Sequence, residues 1–563
     1  IARVAGQAAN TLSKPLEVED VFSTYLYDGT GSAQTITNGI DLDGEGGLVW
    51  CKSRNQAYNN GLVDTERGVN RDISSNGTGT ENLRTGNFAT VSAFNSSGFS
   101  LGPDAGSDAF NKSSTTYCSW TFRKAPKFFD VVTYTGDGTT GQTINHNLGT
   151  NVGAIIIKCT DTGTNWAYWH RTFGSQEMLM LNSTGAPRTD VPYVSNVTDS
   201  SFTVNGSSSF VNENTKNHVA YIFAHNDGDG DFGPAGNADI IKCGSYTGNG
   251  SATGPEIDLG FEPQWLLVKA VSGASAGSCI WLLIDNMRGL NYAAQENFLT
   301  PNAASAESTI TGGFDPTATG FKLSGSSIYL NGSGYNYIYI AIRRPTAVPE
   351  SATDVFAVDQ GDTTSTPAFN SGFVTDFNFY RNVSSGSDFF TSSRLTGSKY
   401  LATNSTASES NSSSFTWDFM DGFREGTLAT TFYSWMWRRA PNFCDVVAYT
   451  GNGTAGRTVS HNLGVAPEMV WYKNRGDTIN WIVYHKDIGT DPTTEVLELD
   501  TSDAKRTSSA FFNSTAPSAS VLTLGTASHT NYNNNTYIAY LFATLAGISK
   551  VGSVTHSGTT NVD

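Results

Sequence analysis

Residues 129–149 read FDVVTYTGDGTTGQTINHNLG, and residues 444–464 repeat this text as CDVVAYTGNGTAGRTVSHNLG. Weaker copies begin at Tyr25 and at Cys243. An apolar stretch such as GLVWCKSR or AIIIKCTD follows each copy, and another, such as HVAYIFAHN or FYSWMWRRAP, closes each unit. Recurrence of this kind indicates tandem structural units. The 563 residues therefore divide into five units of about 113 residues.

These landmarks set the predicted boundaries. An N-terminal segment occupies residues 1–20, and the repeats occupy 21–126, 127–226, 240–346, 353–441 and 442–546. Residues 227–239 are predicted to form an acidic, Gly-rich linker and residues 347–352 a second linker, because Gly, Pro and acidic residues dominate them. Residues 547–563 parallel the first strand of unit three, so we expect a truncated sixth repeat that continues beyond Asp563.

The pattern inside a unit predicts an all-β fold. Runs such as FDVVTYTG and HVAYIFA are rich in Val, Ile, Tyr and Phe and are bounded by Gly, Asn and Asp, as strands joined by turns are. The Tyr-Thr-Gly-Asp/Asn-Gly text predicts a tight turn, although unit four lacks it. We predict a tandem array of antiparallel β-sandwich domains, lectin-like and of jelly-roll topology, each with its own core.

The units fall into two kinds. Units one and three carry Asp-x-x-Arg-Gly, at Asp64 and Arg67 and at Asp285 and Arg288. Units two and five carry Trp-x-x-x-His instead, and unit four resembles the first kind loosely. The junctions WTFRKAPKFFDVV and WMWRRAPNFCDVV also match, so units one to three and units four onward are predicted to be two copies of a three-unit block.

Composition excludes several classes of protein. The net charge is −17, which repels nucleic acid and anionic membrane surfaces, and no apolar run is long enough to insert into a membrane. Hydrophobic residues at 38% suffice to fill cores, so the chain is not disordered. Six cysteines without a CxxC pattern are too dilute for a disulfide scaffold, and we interpret them as buried thiols.

Candidate catalytic and metal-binding residues are few. Asp64 and Glu66 form the carboxylate pair that a glycosidase needs, but Met287 replaces the glutamate in unit three, which favours a structural ion pair. Asp227, Asp229 and Asp231 alternate as Ca²⁺ ligands do, yet Phe232 and Ala238 break the EF-hand pattern. The predictions are therefore no catalytic or cofactor-binding residues, and a candidate Ca²⁺ site that competes with a solvated linker.

Recurring histidines and aromatic residues offer two further alternatives. The histidines of a two-histidine zinc site would be His146 and His461, in the His-Asn-Leu-Gly turn, with His170 and His485; bonding of a turn histidine to backbone is the favoured interpretation. Aromatic side chains between polar loops can stack on sugar rings, although most aromatics of a β-sandwich fill its core. The aromatic candidates are Tyr58, Trp169, Tyr193 and Tyr532.

The repeat text resembles a known group of proteins. The phrases GGLVWCKSR with LVDTERG, SAFNSSGFSLG, and FGPAGNADIIKCGSYTGNG with IDLGFEPQWLLVK are similar to repeats in large virion structural proteins of marine bacteriophages, including cyanophages, that are described as tail-fibre-like or adhesin-like. The resemblance covers residues 20–563 and carries no catalytic motif. It implies a place in the virion and, as in fibres, a homotrimer.

We therefore expect a non-enzymatic structural component of a bacteriophage virion, a tail fibre, spike or other surface appendage that contacts the host cell. Its expected partners are other virion proteins, further copies of the chain that cover edge strands, and a host surface glycan. The alternatives are a polysaccharide-degrading tailspike or glycosidase, and an array of carbohydrate-binding modules.

Overall fold

A computed structural model describes residues 14–86, 90–103, 110–174, 176–189, 193–206, 208–273 and 279–555. The described chain is all-β, as predicted, and its strands pair antiparallel. Its helical elements are single turns at Val18–Val21, Ala352–Asp354, Arg394–Thr396 and Ser528–Asn531. None of the described helices is long and apolar enough to cross a membrane.

Unit one contains a larger sheet in the order β1-β9-β3-β4-β5-β6 and a smaller sheet in the order β2-β8-β7. The strands are β1 (Phe22–Asp28), β2 (Gln34–Thr37), β3 (Gly47–Ser53), β4 (Gly61–Asp64), β5 (Arg71–Ser74), β6 (Asn82–Leu83), β7 (Val91–Asn95), β8 (Gly98–Leu101) and β9 (Thr116–Arg123). In the larger sheet the first strand pairs with the last, the last with the third, and the third with the fourth.

Units two and three repeat this pairing. Unit two contains β10 (Phe129–Thr135), β11 (Gln142–Asn145), β12 (Val152–Cys159), β13 (Ala167–His170), β14 (Leu179–Met180), β15 (Val194–Ser195), β16 (Ser201–Val204) and β17 (Asn217–Ala224). Unit three contains β18 (Ile241–Thr247), β19 (Glu256–Asp258), β20 (Pro263–Ser272), β21 (Leu282–Asp285), β22 (Gln295–Phe298), β23 (Ser308–Thr311), β24 (Phe314–Thr317), β25 (Gly320–Leu323) and β26 (Asn336–Arg343). Their larger sheets run β10-β17-β12-β13-β14 and β18-β26-β20-β21.

Units four and five follow the same order. Unit four contains β27 (Phe356–Gln360), β28 (Phe369–Asn370), β29 (Phe377–Asn382), β30 (Phe390–Ser393), β31 (Lys399–Ala402), β32 (Ser410–Asn411), β33 (Gly422–Phe423) and β34 (Phe432–Trp437). Unit five contains β35 (Cys444–Thr450), β36 (Arg457–Ser460), β37 (Met469–Asn474), β38 (Ile482–His485), β39 (Glu495–Glu498), β40 (Arg506–Thr507), β41 (Val521–Leu524) and β42 (Thr536–Phe542). The larger sheets are β27-β34-β29-β30-β31-β32 and β35-β42-β37-β38-β39-β40. We call residues of different units matched when they share a place in this pairing.

The larger sheets carry apolar side chains on both faces. Successive residues of a strand point to opposite faces. In β3, Val49 and Cys51 pack with the smaller sheet of unit one, whereas Leu48 and Trp50 belong to a cluster shared with units two and three. Strands β20 and β37 divide their residues in the same way. This explains why the third strand of units one, two, three and five is mostly apolar.

The expectation of one separate core per unit is wrong, because units one to three share one apolar cluster and units four and five share another. A single apolar cluster contains Trp120 of unit one, Tyr221 of unit two and Trp265 of unit three. Apolar faces that meet are removed from water together, which stabilises the packed units by roughly 25 cal/mol per Å² of apolar area. Separate clusters lie beneath the smaller sheets of units one, three, four and five.

The predicted turns are present. The second glycine of the turn text, at Gly138, Gly250 and Gly453, has φ of 67° to 68°, a conformation that favours glycine. A buried asparagine ahead of the last strand holds each turn: Asn212 Nδ2, for example, donates to Asp137 Oδ1 at 3.1 Å. Asn331 and Asn531 occupy the matched places and donate to the Ser251 and Thr454 carbonyls of their turns. The recurrence of Asn six residues before Tyr or His was the available sequence signal for this contact.

Residues 227–239 form a folded loop rather than a loose linker. The Asn226 amide donates to the Ile241 carbonyl at 2.9 Å, the same bond that Ala125 makes to Phe129 between units one and two. The residues between them are thus an insertion in the inter-unit turn. Phe232 is buried, and the Gly233 amide donates to the Leu16 carbonyl at 2.8 Å, which fixes the loop against the N-terminal segment.

Candidate functional site: the interfaces between units

Units one to three contact each other in cyclic order, and we call this assembly the three-unit ring. Residues immediately before the fourth strand of each unit donate to a carbonyl of the neighbouring unit. The bonds are Trp166 Nε1 to Ser74 (3.0 Å), Trp281 Nε1 to Ser183 (3.1 Å) and Asn60 Nδ2 to Thr300 (3.1 Å). Unit two thus bonds to unit one, unit three to unit two, and unit one to unit three, so the ring closes.

Units four and five pack on each other as units one and two do. Trp481 Nε1 donates to the Ala402 carbonyl at 2.9 Å, which matches the bond from Trp166 to Ser74. The Glu409 amide donates to the Arg475 carbonyl at 2.8 Å, which matches the bond from Glu81 to Thr160. The predicted relation between the two blocks therefore extends to their interfaces.

The Asp-x-x-Arg elements are buried ion pairs at these interfaces. Arg67 Nε lies 2.6 Å from Asp64 Oδ2, which also accepts from the Tyr221 hydroxyl of unit two at 2.8 Å. In unit three, Asp285 pairs with Arg288. The ion pair that the sequence predicts between the aspartate and the arginine is thus present in both units. Glu66 does not join the pair, because its carboxylate is bonded to Lys124 at 2.6 Å.

A cluster of four charged residues connects the two blocks. Arg439 donates to both carboxylate oxygens of Glu262, at 2.8 and 2.7 Å, and to Asp445 Oδ1 at 2.7 Å. Arg344 lies 3.2 Å from the same oxygen of Asp445. Burial by itself raises the pKa of Asp445, but the two guanidinium groups outweigh it and hold this pKa below its usual range. Units three, four and five are therefore joined by charge as well as by apolar contact.

A buried lysine occurs at one matched place in four units, and sequence reasoning missed it. The residues are Lys52, Lys158, Lys269 and Lys473, and loss of hydration lowers the pKa of each to about 8. Lys52 Nζ donates to the Ala304 carbonyl of unit three at 3.1 Å, and Lys473 Nζ to the Thr406 carbonyl of unit four at 2.9 Å. A lysine in every apolar stretch from GLVWCKSR to EMVWYKNR was the available signal.

The histidines bind the backbone of their own turns. Leu148 donates to His146 Nδ1 and Leu463 to His461 Nδ1, both at 3.3 Å, as the favoured interpretation required. His170 lies between units two and three, where Nε2 contacts the Tyr339 carbonyl at 3.3 Å. Burial lowers the pKa of His170 to about 3.

The aspartates of the loop at residues 227–239 bond to different partners. Asp229 accepts from the Thr150 hydroxyl and from the Asp227 amide, whereas Asp231 pairs with Lys127 at 3.1 Å. Within the described residues, no three His, Cys, Asp or Glu side chains form a group that could hold a metal ion. Calcium at this loop stays a prediction, which calorimetric titration of the intact chain and of an Asp229→Asn variant checks.

The six cysteines are free and buried, as predicted. Of the aromatic candidates, Tyr193 is buried, Tyr58 and Trp169 are half-buried, and Tyr532 is 57% exposed.

One surface groove of unit two offers the chemistry of a sugar site. Its lining includes Trp169, Phe173, Arg171, Asn196 and Asp199, around a volume of about 490 Å³. Aromatic faces beside exposed polar side chains suit a pyranose ring and its hydroxyl groups.

The fold and its interfaces define a class: an all-β protein of repeated units that pack through their larger sheets. The chain belongs to the family described as "Domain of unknown function (DUF7483)", whose model matches residues 17–345 and 355–563. The two matched stretches divide the chain where the sequence divides into two blocks. A search of curated proteins finds no match to this sequence.

Proposed function

We propose that this protein is a non-enzymatic structural component of a bacteriophage virion, a tail fibre, spike or other surface appendage that contacts the host cell. The observation that supports it best is the use of charged groups. Asp64 and Asp285 each form a buried ion pair with an arginine of their own unit. Each also accepts a hydrogen bond from an aromatic residue of a neighbouring unit, Tyr221 and Trp120 respectively. A mechanically fixed array suits an appendage, and the resemblance of the repeats to tail-fibre-like proteins agrees with this role.

The proposal includes the finer architecture. Each unit is a jelly-roll sandwich of a larger and a smaller sheet, and the units follow one another in tandem. The copies of the chain associate as a homotrimer, which covers their edge strands. Sedimentation of the purified protein checks this: a mass of three chains supports the trimer, and a single-chain mass at all concentrations contradicts it.

Particles test the proposed location. Virions purified on a density gradient are labelled with gold-conjugated antibody against the full chain and imaged, and their proteins are identified by mass spectrometry. We expect label on an appendage. The protein's absence from purified particles would contradict the proposal, as would the release of new reducing ends from host polysaccharide, which would favour the glycosidase.

A second candidate function, glycan contact, is favoured by the groove around Trp169 and Phe173. We expect a glycan array to show binding without turnover. Trp169→Ala should abolish the binding, whereas Tyr532→Ala, at an exposed aromatic outside the groove, should preserve it. Equal glycan binding by both variants would show that the groove is not the glycan-binding site.

A further inference from the structure

Units four and five carry the surface that their matched units bury in the three-unit ring. We call this surface the open face; it consists of Phe389, Trp435, Trp437, Trp471, Leu497 and Phe542. The matched residues of units one and two are Asn60, Trp120, Phe122, Ile156, Leu179 and Phe223, none of them more than 2% exposed. Leu497, by contrast, is 40% exposed. Matched places in the same sheets thus differ in burial, because another unit covers them only in the ring.

The open face is continuous across both units. The rings of Phe379 in unit four and Trp471 in unit five lie 5.3 Å apart, and Trp471 lies 5.3 Å from Phe542. Phe389 stacks on Trp435 at 5.4 Å. A contiguous aromatic patch of this kind marks an interaction surface. It also continues the interface through which Trp481 joins the two units.

Unit three shows what covers this surface in the ring. Its Trp265 lies 5.7 Å from Phe122 of unit one, and its Trp281 lies 4.8 Å from Tyr168 of unit two. Its Asp285 accepts from the Trp120 indole at 3.0 Å. Trp435 is matched to Trp120, so an acid at the place of Asp285 would meet its indole in the same way.

The chain after unit five makes the turn that elsewhere leads into another unit. Leu545 and Ser549 exchange two backbone hydrogen bonds, at 3.1 and 2.9 Å, as Ala125 and Phe129 do between units one and two. Gly547 has φ of 79°, matching the positive φ of Lys127 and Asn442 in the two short junctions. Ile548, at the place of Phe128 and Phe443, packs beside the open face.

We propose that the open face is the docking site for a β unit of the unit-three kind, so that units four and five and this unit form a second three-unit ring. The occupant has an apolar sheet face like that of unit three, an acid to accept from Trp435, and a tryptophan to reach unit five. Unit three of a second copy does not qualify, because its face is buried in its own ring.

A fusion tests the proposal on the full chain. Residues 242–346, a second copy of unit three, replace residues 550–563 after Ser549, which is matched to Ile241. In the parent chain we expect the open face to bind the dye ANS and its tryptophans to be quenched by acrylamide. The fusion should lose the ANS signal, protect the tryptophans and shift their emission to shorter wavelength. The fusion should contain the same number of chains per assembly as the parent protein.

Two matched variants keep the outcome interpretable. Leu497→Lys should leave the parent chain folded and prevent the fusion from losing its ANS signal. A fusion whose added unit carries Leu267→Lys and Ile340→Lys should behave in the same way, because these residues face the neighbouring units. Circular dichroism confirms that the added unit folds. A folded fusion that still binds ANS would overturn the proposal. So would a parent chain that dimerises through the open face and is made monomeric by Leu497→Lys, since the occupant would then be a second copy.

Discussion

Units one to three and units four and five contain the same larger sheet, built by the same strand pairing, but they place its outer face in different surroundings. Trp120 is enclosed by unit three and donates to Asp285, whereas its match Trp435 is half-buried. Leu179 is buried and Leu497 is exposed. Contacts between units, and not the fold of one unit, therefore decide whether the outer face of a larger sheet belongs to the core.

The largest expected difference follows from the matched tryptophans. Trp120→Ala removes a buried ring and the indole that donates to Asp285, so it should lower the free energy of unfolding of units one to three by about 4 kcal/mol. Trp435→Ala should cost units four and five about 1 kcal/mol. Thiol labelling in urea separates the blocks, because five cysteines lie in units one to three and Cys444 lies in unit five. Equal effects would contradict the comparison.

The buried ion pair gives the next effect. Arg67→Ala leaves Asp64 buried and uncompensated, which should destabilise units one to three by about 3 kcal/mol. Arg506 pairs with Glu498 at the surface of unit five, so Arg506→Ala should cost less than about 1 kcal/mol. The same labelling experiment measures both. A loss below about 1 kcal/mol for Arg67→Ala would show that the ion pair between Asp64 and Arg67 does not stabilise the ring.

Substitution of the matched leucines should give a smaller difference in stability between the two regions. Leu179→Ala creates a cavity in the packed ring and should cost about 2.5 kcal/mol. Leu497→Ala removes an exposed side chain and should cost less than about 0.5 kcal/mol. Urea midpoints of the two variants provide the measurement, and a larger effect at Leu497 would mean that its surface is already covered in solution.

Acid should weaken the ring at His170. The folded-state pKa of about 3 lies below the ordinary value of 6.5, so the unfolded chain takes up the proton first as the pH falls. Stability is therefore lost from pH 6.5 downward, by about 2 kcal/mol at pH 5 for this group alone. His170→Gln should remove that part of the pH dependence. Identical profiles for the wild type and His170→Gln would refute the assignment.

Much of the single unit could be predicted from sequence because its signals are local. Gly138 and its matches mark turns, and the unbroken run around Ile156 marks the third strand. The ring could not be predicted in this way. Trp50 and Val49 are both apolar neighbours in one strand, and no local pattern tells which faces its own unit and which faces another.

The sequence predicts which residues of the candidate site form ion pairs, but it does not predict which residues of neighbouring units contact them. Substitution of Glu66 by Met287 identified Asp64 and Arg67 as a structural pair, yet the bond from Tyr221 joins residues 157 positions apart. The buried lysines recur in the sequence, but lysine is ordinarily exposed, so the recurrence alone does not indicate burial. Their burial is explained only by the backbone carbonyls to which they donate in the folded chain.

Hydrogen exchange at matched amides tests whether contacts between units protect the larger sheets. The Leu181 amide donates to the Trp166 carbonyl, and the Leu499 amide donates to the Trp481 carbonyl, the same bond in units two and five. If contacts between units create the core, the Leu181 amide and its neighbours in the three-unit ring should exchange far more slowly than those around Leu499 in the same native sample. Equal protection at the two places, or slower exchange around Leu499, would contradict the account.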